Sequence, residues 1–83
     1  MTIQQIAATM IRGTPAIVFP LVVAPGDKTW IIDQNNNHVL DVRGWGRLQY
    51  HSDGIVAGGA LQDSIAEWVV DTLNKEYESS KAN

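Results

Sequence analysis

Five consecutive polar residues, Asp33-Gln34-Asn35-Asn36-Asn37, separate two β-branched runs, Thr29-Trp30-Ile31-Ile32 and His38-Val39-Leu40-Asp41-Val42. Asparagine tolerates left-handed backbone angles, so the polar stretch reads as a tight reversal. The flanking runs have the length and composition of strands. A period of two places Trp30 and Ile32 on one face of the first strand. It places Leu40 and Val42 on one face of the second, with Asp41 and Arg43 on the other.

Two helices are expected around this hairpin. Thr2 is suited to cap a helix, with Gln5 three residues on as the reciprocal partner of a capping box. Ile3, Ile6, Ala7, Met10 and Ile11 follow at helical spacing, which predicts a helix over residues 3–12, ended by Gly13-Thr14-Pro15. From about Ala60, after the flexible point Gly58-Gly59, a second helical pattern begins. Leu61, Ile65, Trp68, Val69, Thr72 and Leu73 fall on one side. They are expected to pack on Ile32, Leu40 and Val42, and Trp68→Ala should then cost about 3–5 kcal/mol. The polar end of the chain after Tyr77 is expected to fray. Between the first helix and the hairpin, residues 16–23 form an apolar run suited to a strand. Pro20 cannot donate to a ladder, so that strand is at an edge, bulged or broken there. An apolar edge also invites self-pairing, which makes Ala16–Val23 a candidate homodimer seam. Arg47–Tyr50 could add a short further strand. The fold class is thus α+β: a short N-terminal helix, a three- or four-stranded antiparallel sheet, and a C-terminal amphipathic helix on one face. At 83 residues it forms one domain, 1–83, with a modest core.

Charge and cysteine content narrow the function classes. The formal net charge is −3, which argues against broad nucleic-acid binding, since that needs a basic face to displace counterions. There is no cysteine, so disulfides, thiolate zinc sites and cysteine nucleophiles are excluded. No run approaches the roughly 18 apolar residues that span a bilayer. Residues 16–24 are apolar like a signal peptide. However, Pro20 interrupts them, Pro25 follows the would-be cut, and Arg12 is the only base upstream. A cytoplasmic location in a bacterial host cell is expected.

No catalytic constellation emerges. The 33–37 run has oxygen ligands like a calcium loop, but His38 stands where that loop needs glycine, and Gly44 where it needs glutamate. His38 and His51 are too few and too far apart for a metal motif. His51, Ser52 and Asp53 are neighbours in one loop and lack the convergence a triad requires. Gly44-Trp45-Gly46 has no phosphate-loop continuation. The expectation is a protein with no catalytic residues, metal or cofactor. Two candidate docking surfaces remain. Trp45 lies among Arg43, Arg47, Tyr50 and His51, the residue types enriched in interface hot spots. Asp63, Glu67 and Asp71 recur every four residues along the second helix, a secondary acidic docking face. Lys75, four after Asp71, offsets part of their repulsion.

The hairpin residues Trp30–Asp33, the segment His38–Gly46 and the helix segment Leu61–Ile65 together resemble those of short bacteriophage and prophage accessory proteins. In these a tight hairpin is followed by a terminal amphipathic helix. The likeness spans about Trp30 to Leu73, although this chain carries Asn36-Asn37 where such proteins often have Asp-Gly. The group supplies no agreed functional residues. It includes inhibitors of host immunity, anti-CRISPR proteins among them. The resemblance therefore implies a non-catalytic anti-defence inhibitor that docks on a host protein or ribonucleoprotein complex. The alternatives are a self-assembling structural module and a binder of a small planar ligand at a dimer interface.

Overall fold

The computed structural model describes residues 1–26, 29–42 and 55–81, and the side chains of all of these except 55–61. The capping box forms as expected. The Thr2 hydroxyl accepts from the Gln5 N–H at 3.1 Å, and the Gln5 side chain accepts from the Thr2 N–H at 2.9 Å. Helix α1 runs only from Ile3 to Ala8. Thr9 turns to an extended conformation, and the chain folds into a small hairpin of β1 (Met10–Ile11) and β2 (Thr14–Pro15). Arg12 and Gly13 make its two-residue turn, with φ of 52° and 84°, the left-handed pair that matches strand twist. The spacing of Met10 and Ile11 suits helix and hairpin alike, and both residues are exposed. Nothing in the interior enforces a helical continuation.

The central sheet is antiparallel, in the order β3 (Val22–Val23), β4 (Trp30–Ile32), β5 (His38–Asp41). The expected strand over 16–23 is reduced to its last two residues. Before them the chain passes through a cis Phe19–Pro20 bond, and its backbone groups bond elsewhere. The N–H groups of Ala16 and Ile17 donate to the carbonyls of Thr9 and Ala7. Val18 N–H donates to the Asp33 carboxylate, and Leu21 N–H to the Asn74 side chain. A continuous free edge over 16–23, the basis for a dimer seam, is therefore not present.

The β4–β5 hairpin lies where expected, with Trp30 opposite Asp41 and Ile31 opposite Leu40. Its inward residue is Ile31, fully buried, while Trp30 and Ile32 are half-buried. A register irregularity then brings Ile32 opposite His38. It breaks the strict alternation: Val39 packs on the core, while Leu40 remains 42% exposed.

Helix α2 runs from Ile55 to Lys81, through Gly58-Gly59 and beyond Tyr77. Two glycines cost a helix about 1 kcal/mol each but do not forbid it. At the other end, Lys81 approaches Glu78 at 3.9 Å and lies 5.1 Å from the centre of the Tyr77 ring. Its charge also suits a helix C-terminus, which favours a helical last turn where an irregular tail was expected. The inward stripe is Ala66, Val69, Val70 and Leu73, packed on Leu21 and Ile31. Ala66 is fully buried, and its small side chain lets the helix axis approach the sheet closely. Trp68 is not in the core. It lies about 200° around the helix from Ala66 and is 66% exposed.

Candidate functional site

The first expected surface, Arg43, Trp45, Arg47, Tyr50 and His51, lies outside the described residues. The second lies on α2 and differs from a uniform acid row. Asp63 is half-buried beside the inward stripe, whereas Glu67 and Asp71 are exposed. Between these two stands the exposed indole of Trp68. Ser64 and Thr72 lie one turn to either side of it, and both are exposed. The outer face is thus a large aromatic flanked by two carboxylates and two hydroxyls, with Lys75 one turn beyond Asp71. An indole on solvent costs apolar exposure that no packing returns. It is also the side chain that contributes most when an interface closes over it. Sequence reasoning noticed the acids and misassigned the tryptophan, because Val69 and Leu73 belong to either of two overlapping apolar stripes.

A second feature lies about a third of the way around α2 from Trp68. An open groove of about 530 Å³ runs between α1, β5 and α2, walled by Ile3, Ile6, Phe19, Leu40 and Leu73. The stacked rings of Phe19 and Tyr77, 4.1 Å apart, fix the position of Phe19. The Gln4 amide, donating to the Tyr77 carbonyl at 3.1 Å, ties α1 to α2. Glu76 and Ser80 complete the helix side of this groove. No part of it stood out in the sequence, because its walls come from four distant segments.

The hairpin turn proves to be a structural centre. Asp33 is 2% exposed. Its Oδ1 accepts from the N–H groups of Asn35 and Asn37, both at 2.9 Å. Its Oδ2 accepts from Val18 N–H and the Asn37 amide, both at 3.0 Å. Asn36 adopts φ 62°, the left-handed role expected of this run. Burial alone would raise the Asp33 pKa. The Asn37 side chain and the backbone donors of Val18, Asn37 and Asn35 outweigh it and hold the carboxyl below its ordinary value. With all four of its donors supplied by the protein, this carboxylate acts as a brace. On the hairpin's outer side, exposed His38 packs at 4.3 Å from Trp30, whose indole N–H donates to Asp41 at 3.1 Å.

Among the described residues no three histidine, aspartate or glutamate side chains gather as metal ligands would. None of the described helices is long and apolar enough to cross a membrane. The fold and these surfaces define a small α+β domain with an exposed aromatic–acidic helix face and an apolar groove. Comparison with protein families, curated proteins and solved structures gives no match to this chain.

Proposed function

We propose that this protein works without catalysis, by docking the outer face of α2 on another protein. The observation that carries the reading is the exposed Trp68 between Glu67 and Asp71. Tryptophan is strongly enriched among residues that dominate binding energy. Flanking carboxylates favour a partner surface bearing arginine or lysine, which can pair with the acids and stack on the indole. The likeness of the sequence to phage accessory proteins supports a more specific form of this reading. In it the protein is an anti-defence inhibitor of the anti-CRISPR kind, acting on a protein or ribonucleoprotein complex of a bacterial host. A helix face that carries acids and an aromatic ring can occupy a basic, nucleic-acid-binding surface by steric and electrostatic blockade alone.

The test is parallel capture from bacterial lysate with the intact chain, Trp68→Ala, the charge-reversed pair Glu67→Lys with Asp71→Lys, and Trp45→Ala. Recovered proteins are identified by mass spectrometry. A stoichiometric partner lost with both α2 variants supports docking by this face. A partner retained by both but lost with Trp45→Ala moves the interface to the Arg43–His51 segment. Recovery of the protein alone shifts weight to self-assembly.

A further inference from the structure

The first 26 residues carry a single charged side chain, Arg12. It stands at the tip of the β1–β2 hairpin with φ 52°. Asparagine or glycine takes that left-handed position at less cost, so turn chemistry does not explain an arginine there. Every residue from Ala8 to Pro15 is exposed. Beside Arg12 stand Met10 and Ile11. With Trp68, they rank after the terminal Met1 as the most exposed large apolar side chains among the described residues. Among those residues, Arg12 is also the one lysine or arginine outside α2. It makes no ion pair there, and neither do Glu67 and Asp71.

The hairpin tip and the outer face of α2 are therefore complementary. One offers a guanidinium beside two apolar side chains. The other offers an indole beside two carboxylates one helical turn, about 6 Å, apart. A guanidinium over the indole can pair with a carboxylate on either side, and a thioether packs well on an aromatic ring. Within one chain the two surfaces are held apart. The Gln4 amide ties α1 to Tyr77, and the N–H groups of Ala16 and Ile17 bond the root of the hairpin to Thr9 and Ala7. Tyr77 lies nine residues after Trp68, about 14 Å along α2 and half a turn around it. The hairpin is thus rooted on the far side of the helix from the indole.

We infer that the β1–β2 hairpin of one copy docks on the Trp68 face of a second copy, with Arg12 over the indole and between Glu67 and Asp71. A two-fold axis makes the contact twice and closes the pair. The inference rests on the reading of this helix face as a docking surface and names its occupant in the free protein.

The test is sedimentation equilibrium of the full chain from about 10 μM to about 1 mM at low salt. The expected result is a reversible rise in mean mass from 9.1 kDa towards twice that value, reduced by high salt. Arg12→Glu, and the charge-reversed pair Glu67→Lys with Asp71→Lys, should each raise the dissociation constant about tenfold or more. Mixed in equal amounts, these two variants should associate as tightly as the native chain, because every contact then joins opposite charges. Lys81→Glu changes the net charge as much as Arg12→Glu does, and should leave association within about twofold. Circular dichroism melts report whether each variant keeps its fold. The inference is overturned by a protein that stays monomeric throughout, by association that Arg12→Glu leaves intact, or by a mixture that does not recover. None of these results alters the lysate capture, where Trp68→Ala tests the docking reading on its own.

Discussion

Asp33 concentrates more of the structure than any other described side chain. Its four hydrogen bonds close the hairpin turn and anchor the incoming chain at Val18. Asn in its place keeps the shape but turns one acceptor oxygen into a donor, which then faces two donors. We expect Asp33→Asn to cost about 3 kcal/mol at pH 7 by urea unfolding. The same carboxyl makes stability pH-dependent. Its native pKa lies below the ordinary 3.8, so the unfolded chain takes up the proton first as the solution is acidified. The contribution is complete above that ordinary value and disappears as pH falls from there through the lower native one. Unfolding curves between pH 7 and pH 2.5 should show a steeper acid loss for the native sequence than for Asp33→Asn. Equal slopes would mean that other carboxyls govern the acid limb. Trp68 supplies the converse case. Because its indole is in solvent, Trp68→Ala should change stability by no more than about 0.5 kcal/mol. A melting temperature lower by more than about 10 °C would place it in the core after all.

At the scale of elements, the sequence was most legible where a local rule needed no tertiary help. The Thr2/Gln5 cap and the 33–37 reversal both appear, since capping and turn chemistry act over a few residues. It was least legible where side chains far along the chain replace backbone pairing. The segment 16–21 has strand composition, yet its backbone is held by Asp33, Gln34 and Asn74. Asn74 acts like a short piece of strand. Its Oδ1 accepts from Leu21 N–H at 2.7 Å, and its amide donates to the Leu21 carbonyl at 2.9 Å. No periodicity announces such a pairing across 53 residues. Asn74→Ala leaves both backbone groups of a buried residue unpaired and should cost about 2–3 kcal/mol. Amide hydrogen exchange offers a local check: protection at Leu21 should fall well before that at Ile31. Parallel loss at both positions would show that the clamp is not a separable element.

For the whole molecule, the α+β class followed from one unambiguous hairpin and one long helix, because few arrangements bury both. The face the helix turns inward did not follow, since Ala66 carries little hydrophobic signal yet decides how closely helix and sheet approach. Charge provides the most direct route from this architecture to behaviour. Residues 62–81 hold five acids and two lysines, a balance equal to the −3 of the entire chain, while the other four acids and four bases cancel. All of the net charge therefore sits on the helix that displays Trp68. A partner engaged there is drawn in by a field that salt screens, with a range of about 10 Å at 0.1 M ionic strength. Contact with the indole forms only after docking and is screened far less. The association rate with a captured partner should thus fall about tenfold or more between 50 and 500 mM salt, while dissociation changes little. Trp68→Ala should do the reverse, speeding dissociation and leaving association nearly unchanged. Surface plasmon resonance separates the two effects. If association proved indifferent to salt, the partner would be meeting a neutral part of the surface, and the acidic face of α2 would have no part in recognition.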